Sequence, residues 1–236
     1  TTSVTEADTH RYECIAQTDA AYAMKGTNMT LESLTKIRHE SSRAVNAENP
    51  TGEPGKGGIA ASELGPSRKG SPCLRNIPVG ATATLADITG PGCIRHIWIT
   101  VDEKTTDADC FVLRDLVLRF YWDDEEEPSV ECPLGDFFCC GFGRACLVNS
   151  MPVAVVPNRG FNMYFSMPFG ARARITLENQ HKNAISAFFY QIDYTVNDEP
   201  FDDDIAYFHA QWRRQRLTEK GRDYVVLDGV KGEGIM

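Results

Sequence analysis

The residues best suited to chemistry lie in a short segment, residues 133–143, that combines glycines, phenylalanines and one carboxylate. Asp136 follows Gly135 and precedes Phe137 and Phe138. Sugar sites pair acidic groups, which accept hydrogen bonds from hydroxyls, with aromatic rings that cover the apolar face of the sugar. This composition predicts that Asp136, Phe137 and Phe138 bind a sugar. The alternative is a tight turn whose phenylalanines belong to the hydrophobic core.

Three further polar residues are candidates for sugar binding, namely Glu48, Asn49 and His209. Glu48 and Asn49 lie at the start of a segment rich in glycine and proline, residues 46–70. So long a loop in a compact domain is either functional or disordered. The alternative for both residues is stabilisation of the loop itself. For His209 the alternative is a half-buried, hydrogen-bonded histidine beside the apolar stripe of a predicted helix.

The chain lacks the motifs of the common cofactor and metal sites. No glycine-rich phosphate loop follows a predicted strand, and no Gly-x-Ser-x-Gly elbow occurs. The five histidines show no H-x-x-x-H spacing, and the eight cysteines form no C-x-x-C pair. We therefore expect neither a cofactor nor a metal site. We interpret most of the cysteines as buried, reduced thiols, which behave as small hydrophobic side chains.

The charge and hydropathy of the chain exclude two classes of partner. The formal net charge of -9 disfavours nucleic acid, because phosphate-binding proteins present a basic face. The apolar runs are far shorter than the roughly 20 residues of a membrane span, so we expect no membrane contact. Residues 1–10 have neither the basic nor the apolar region of a signal peptide. These features predict a cytoplasmic protein, or an extracellular one whose signal peptide has been removed.

Alternation of apolar and polar residues with a period of two dominates the centre of the chain. In residues 187–196, for example, Tyr190, Ile192, Tyr194 and Val196 alternate with polar residues, as in a strand with one buried face, and Phe188 continues the apolar face. Similar patterns predict strands at residues 79–88, 93–101, 111–122, 129–132, 161–167, 171–178 and 224–228. Such a series without alternating helices predicts an all-β fold, an antiparallel β-sandwich of jelly-roll type with a few short helices.

Two amphipathic helices are predicted outside the strands. The first spans residues 30–42 and begins after Thr30, a residue type favoured at the N-cap. The second spans about residues 202–216, where three aspartates favour the N-terminus and three arginines the C-terminus. Its apolar stripe consists of Ile205, Phe208 and Trp212.

Six motifs follow one another between residues 42 and 228. They are Ser-Arg-Ala-Val-Asn-Ala-Glu-Asn-Pro-Thr-Gly from Ser42, Gly-Pro-Gly-Cys-Ile-Arg-His-Ile-Trp from Gly90, Leu-Arg-Phe-Tyr-Trp-Asp from Leu118, Pro-Ser-Val-Glu-Cys-Pro-Leu-Gly-Asp-Phe-Phe from Pro128, Phe-Asn-Met-Tyr-Phe-Ser-Met-Pro-Phe from Phe161 and Tyr-Phe-His-Ala-Gln-Trp-Arg-Arg from Tyr207. In sequence and order they resemble the motifs of the family called domain of unknown function 2961, which is also glycoside hydrolase family 172.

The resemblance implies a set of functional properties. It implies two tandem jelly rolls per subunit and homo-oligomers, trimers or hexamers, with active sites near the subunit contacts. It also implies retaining hydrolysis of fructofuranosides or D-arabinofuranosides by two glutamates. The Glu48–Asn49 loop and the turn at Asp136, Phe137 and Phe138 match family motifs that border the sugar pocket, so carbohydrate is the expected partner.

The resemblance also implies that the catalytic glutamates lie in a second half, beyond residue 236. Glu233 stands between two glycines, but its position resembles the linker between the halves, and we assign no catalysis to it. We therefore expect a helical leader (1–43), a Gly/Pro-rich loop (44–74), a jelly-roll domain (75–228) and the start of a linker (229–236). Such a half is not expected to be catalytic alone. The alternative is a non-catalytic jelly roll that binds glycans or serves in structural assembly.

Overall fold

The computed structural model describes residues 35, 37, 40–60, 70–102, 111–156, 159–201 and 205–231. Within these residues the chain forms two β-sheets and two helices of one turn, α1 (Val112–Asp115) and α2 (Leu134–Phe137). The strands are β1 (Glu40–Asn46), β2 (Leu74–Ile77), β3 (Thr82–Thr89), β4 (Gly92–Val101), β5 (Leu116–Trp122), β6 (Val130–Pro133), β7 (Val148–Asn149), β8 (Val153–Val156), β9 (Gly160–Met163), β10 (Met167–Phe169), β11 (Arg172–Asn179), β12 (Ile185–Asn197) and β13 (Ala210–Gln211).

The two sheets pair their strands in a nested order. The larger sheet has the order β1-β12-β4-β9-β8-β7, with β2 also paired to β12 and β10 to β4; the smaller has the order β13-β6-β5-β11-β3. The pairs β2–β12, β3–β11, β4–β9 and β5–β6 are antiparallel. From one pair to the next, the first strand lies later in the chain and its partner lies earlier. These pairs alternate between the two sheets, which is the topology of a jelly roll. The predicted all-β sandwich is confirmed.

Alternate side chains of both sheets form the core between them. On β5, Leu118, Phe120 and Trp122 are buried, and on β12 Phe188 and Ile192 face them from the other sheet. Burying one such side chain stabilises the fold by about 1.5–3 kcal/mol, so each strand is oriented with its apolar face toward the other sheet. The opposite faces carry the polar residues discussed below.

Most of the predicted strands are present at the predicted places. Strands β3, β4, β6, β11 and β12 overlap the predictions at residues 79–88, 93–101, 129–132, 171–178 and 187–196 and differ from them by at most three residues at either end. The prediction at residues 161–167 overlaps β9 and the start of β10. The predicted strand at residues 111–122 begins only at Leu116, because α1 occupies its first part. The amide of Arg114 donates to Phe111 O at 2.8 Å, closing this turn.

The predicted helix at about residues 202–216 is wrong for residues 205–216, where the structure has no helix; residues 202–204 lie outside the described residues. Two backbone amides of this segment pair with β6 instead: Ala210 N–H donates to Ser129 O at 3.1 Å and Trp212 N–H to Glu131 O at 3.2 Å. This pairing satisfies the backbone groups that a helix would satisfy locally. Phe208 and Trp212 still pack against the core, from an extended chain.

The predicted strand at residues 224–228 is also wrong, since these residues are irregular and exposed. Their valines favour a strand only where a neighbouring edge accepts their backbone hydrogen bonds. Near the other end, β1 starts at Glu40, although a helix was predicted as far as residue 42. β1 pairs with β12 from Glu40↔Asn197 to Asn46↔Gln191, so the larger sheet includes residues before position 75. Thr30, Leu31 and Leu34 of that helix lie outside the described residues.

Candidate functional site

Asp136 lies in α2, the single turn that follows β6. Gly135 allows this turn to contact α1, because a Cβ at Gly135 would lie 3.0 Å from the Leu113 Cβ. The contact brings Arg114 of α1 to the carboxylate, and the extended segment after β13 brings Trp212 to it. Three segments that are distant in sequence therefore meet at Asp136.

The Asp136 carboxylate is bound from two sides. Trp212 Nε1–H donates to Oδ1 at 3.0 Å, and Arg114 Nε lies 3.0 Å from Oδ2. The second contact is an ion pair without an aligned hydrogen bond. Burial raises the pKa of Asp136, while the Arg114 charge and the Trp212 hydrogen bond oppose the rise. Arg114 is held in turn, since its guanidinium lies 5.1 Å from the Trp212 ring centre and Nη2–H donates to Gly141 O at 2.6 Å.

Phe137 and Phe138 lie in the hydrophobic core, as expected if the segment is a turn whose phenylalanines are core residues. The Phe137 ring lies 5.3 Å from that of Phe120 and 6.4 Å from that of Phe208. The Phe138 ring lies 5.5 Å from that of Phe161. The two rings lie 5.1 Å apart and together connect the smaller sheet at Phe120 with the larger sheet at Phe161. A sugar contact by either stays a prediction.

Glu48 and Asn49 fold the glycine-rich loop onto itself. Glu48 accepts the amide hydrogens of Gly58 and Ala60 at 2.6 and 2.7 Å through its two carboxylate oxygens. The buried Asn49 side chain both donates to Glu53 O at 3.0 Å and accepts from Glu53 N–H at 3.1 Å. These bonds stabilise the loop, and the binding role predicted for the two residues stays a prediction.

The predicted site residues fall into two groups. His209 is exposed and follows Phe208, whose ring contacts Phe137, so it lies on the segment that packs against the Asp136 turn. Glu48 and Asn49 follow β1 of the larger sheet, and their hydrogen-bond partners are separate from those of Asp136.

A polar cluster that the sequence analysis missed lies on the outer face of the larger sheet. His96 Nδ1 lies 2.9 Å from Asp193 Oδ2, and His96 Nε2 lies 3.2 Å from Asn162 Oδ1. Gln191 Nε2–H donates to Asp193 Oδ1 at 2.8 Å. The alternation in residues 93–101 already placed His96 opposite the core face. Its partners became evident only from the register, which sets His96 beside Asp193 on β12.

A β-bulge in β4 directs two consecutive residues, Arg95 and His96, to the outer face of the larger sheet. Asp193 pairs with His96 and Tyr194 with Ile94, so Arg95 is the extra residue on β4. Bulges of this kind redirect side chains and are over-represented next to active sites. Arg95 Nη2–H donates to Glu40 Oε2 at 3.0 Å, and Arg95 Nε–H to Thr195 Oγ1 at 3.3 Å.

The partners of His96 determine its protonation state. Asn162 Nδ2–H donates to Ala154 O at 3.1 Å and Gly160 O at 3.3 Å, which turns Asn162 Oδ1 toward His96. Both ring nitrogens therefore face acceptors, an arrangement that favours the doubly protonated imidazolium. The Asp193 hydrogen bond raises the pKa of His96, against the effect of burial. The Tyr164 ring stacks on this cation, 4.6 Å away and tilted by 11°.

A family model described as GH172 domain-like matches residues 73–192. The match covers half of the chain and spans strands of both sheets, together with the Asp136 turn and the members of the His96 cluster other than Asp193. The chain belongs to the GH172 domain-like family. No curated protein matches it. Of the residues predicted to bind sugar, Glu48, Asn49 and His209 lie outside the GH172 match.

The larger sheet also has an open depression beside the His96 cluster, with a volume of about 450 Å³. It is lined by residues of β1, β4 and β12, among them Arg43, Arg95, Asp193 and Thr195. Asp193 belongs both to this depression and to the hydrogen-bond network of His96.

In the described part of this GH172 chain, no three His, Cys, Asp or Glu side chains are grouped so that they could hold a metal ion. No helix among the same residues has the length and apolar character needed to span a bilayer.

Proposed function

We propose that this chain is the sugar-binding, N-terminal jelly-roll half of a furanoside-acting glycoside hydrolase and does not hydrolyse glycosides alone. The observation that carries the proposal is the GH172 domain-like match over residues 73–192. The six family motifs support fructofuranosides or D-arabinofuranosides as the substrate class.

The environment of Asp136 supports a role other than catalysis. Retaining glycosidases need two carboxyl groups about 5–5.5 Å apart, one acting as nucleophile and one as proton donor. Asp136 is instead bound by Arg114 and Trp212. A carboxylate held by a cation and an indole is suited to positioning these segments rather than to exchanging a proton with substrate.

Two pairs of carboxylates on the smaller sheet also lack the features of a catalytic pair. Glu131 and Glu178 both contact Arg119 at 2.6 Å, and Asp87 and Asp124 both contact Arg172 at 2.7 Å. The hydrogen bond from Arg172 lowers the pKa of Asp87 and that from Arg119 lowers the pKa of Glu178, so one carboxyl of each pair is a poor proton donor near neutral pH.

The proposal is tested by measuring hydrolysis and binding with the purified 236-residue protein. We expect no turnover of aryl α-D-arabinofuranosides or aryl fructofuranosides above background, for the wild type and for Asp136→Asn alike. In saturation-transfer NMR we expect contact with methyl α-D-arabinofuranoside or methyl β-D-fructofuranoside, and none with methyl α-D-glucopyranoside. Turnover that disappears in Asp136→Asn would overturn the non-catalytic role. Equal binding of the glucopyranoside would overturn the furanoside class.

A second candidate function is assembly, as a module that joins copies of itself. One observation favours it: Phe142, Leu147 and Met151 are 91%, 78% and 89% exposed on the loops around β7. Large apolar side chains clustered in one exposed stretch of sequence are typical of protein–protein contacts. The two candidates are compatible, because the family resemblance implies homo-oligomers with active sites near subunit contacts.

A further inference from the structure

The outer faces of the two sheets differ in their chemistry. The smaller sheet carries ion pairs such as Arg119 with Glu178 and Arg172 with Asp87, which are typical of a solvated face. The larger sheet carries the His96 cluster on β4, β9 and β12, with Trp98 also on its outer side and Tyr164 after β9. Histidine, amides and aromatic rings are the side chains of a recognition surface rather than of a solvated one.

We propose that the outer face of the larger sheet binds a neutral sugar ring, with Tyr164 as the stacking platform and Asp193 as the principal acceptor of sugar hydroxyls. The choice of a furanose as the ring rests on the proposed function. The site itself rests on the geometry of Tyr164, Asp193 and the neighbouring depression.

Tyr164 has the exposure and the fixed orientation that a stacking platform needs. The residue is 49% exposed, and its ring is held parallel to the imidazolium of His96. Because the ring is already fixed, a sugar that stacks on it immobilises no further rotamer of the protein. An aromatic ring offers the apolar C–H face of a sugar a large contact area at low entropic cost.

Asp193 has the capacity to accept sugar hydroxyls. A carboxylate has about four lone-pair sites, and the two bonds from His96 and Gln191 occupy one site on each oxygen. The side chain is 35% exposed, so a hydroxyl can reach the remaining sites. The same two bonds hold the carboxylate in place, so binding requires no rearrangement.

The charged groups of this face supply donors and acceptors for the hydroxyls of a neutral sugar. Asp193 is paired with His96, Arg95 contacts Glu40 at 3.0 Å, and Arg43 Nη1–H donates to Ser42 O at 3.1 Å. The depression beside Asp193, at about 450 Å³, lies within the range of small-molecule sites and is large enough for a single sugar ring. Asp193 lines this depression and is bound to His96, on which Tyr164 stacks, so Tyr164 and the depression lie on the same face of the sheet.

The proposal is tested by titrating variants of the whole chain with the sugars used above. Methyl α-D-arabinofuranoside, methyl β-D-fructofuranoside and methyl α-D-glucopyranoside are each followed through ¹H–¹⁵N shift changes. We expect Tyr164→Ala and Asp193→Asn each to weaken binding by about tenfold. Tyr164→Phe keeps the ring and should bind like the wild type. The matched control is Tyr121→Ala, which removes a tyrosine stacked under Arg174 on the smaller sheet and should leave binding unchanged.

The possible outcomes separate this site from the proposed function. Furanoside binding that survives Tyr164→Ala and Asp193→Asn would overturn the site and leave the furanoside class intact. Binding that depends on Tyr164 but favours the glucopyranoside would keep the site and overturn the furanoside class. Absence of saturable binding by all three sugars would overturn the site. So would shifts at Tyr164 that follow protein concentration, which would indicate a second copy on this face.

Discussion

The imidazole of His96 is fixed by acceptors on two neighbouring strands, Asp193 on β12 and Asn162 on β9. Neither partner lies near His96 in sequence, and each is oriented by further hydrogen bonds. The result is a half-buried imidazole, stacked under Tyr164, that links three strands of the larger sheet. The proposed sugar platform therefore depends on the charge of one histidine.

This charge should make stability depend on pH. The pKa of His96 is raised above its unfolded value of about 6.5, so its contribution is complete below that value and is lost as pH rises through the folded pKa. We expect the wild type to exceed His96→Gln in free energy of unfolding by about 1 kcal/mol in mild acid, after allowance for solvent screening, and by less in mild base. Urea unfolding across this range measures the difference. A constant difference would contradict a charged His96.

The cysteines offer a second test at the scale of single residues. Burial raises the pKa of Cys140 to about 11 and that of Cys132 to about 12, whereas Cys139 and Cys146 are exposed. Since the thiolate is the reactive form, iodoacetamide near neutral pH should label Cys139 and Cys146 and spare Cys132 and Cys140. Peptide mass spectrometry locates the label, and the unfolded chain, labelled at all four positions, is the control. Native labelling of Cys132 or Cys140 would contradict their burial.

At the scale of elements, Asp136 links α2, in which it lies, to α1 and to the segment after β13. Arg114 contributes twice, by its ion pair with Asp136 and by its bond to Gly141 O. The Asp136 side chain is only 13% exposed, so its charge depends on this partner. We interpret the triad of Arg114, Asp136 and Trp212 as the device that holds the extended chain after β13 against the smaller sheet.

Removal of Arg114 should therefore destabilise the domain through the charge left behind. We expect Arg114→Met to lower the free energy of unfolding by about 3 kcal/mol, because Asp136 remains buried and unpaired. The double variant Arg114→Met with Asp136→Asn should recover part of this loss, since it removes the charge as well. Arg174→Met, which loses the contact with Tyr121 and an attraction to the exposed Asp87, is the matched control and should cost less. Additive effects of the two changes, measured by urea unfolding, would contradict the coupling.

At the scale of the whole molecule, the exposed side chains around β7 predict self-association. Light scattering should report a mass well above the 26.2 kDa of one chain, and Phe142→Ser with Met151→Ser should shift it toward the monomer. Val79→Ser, which changes an exposed apolar residue in the turn before β3, is the control and should leave the mass unchanged. A monomer at micromolar concentration in the wild type would refute the assembly function.

The sequence alone predicted most strands of the sandwich, because a strand with one buried face has apolar residues at every second position. β4 and β12 are the clearest cases, with Ile97, Ile99, Phe188 and Ile192 buried as the alternation indicated. The family followed from six short motifs. The Asp136 turn was also singled out from composition, although its phenylalanines proved to be core residues.

Only the tertiary structure decided how distant segments meet. Residues 205–216 have a helical pattern, yet the backbone of residues 210–212 pairs with β6 and the residue before it. Such a long-range partner can replace the local hydrogen bonds of a helix. The His96 cluster depends on the register of β4 against β12 and on the bulge at Arg95. A shift of one residue would turn these side chains to the other face of the sheet, and no local pattern in a single strand specifies its register against another.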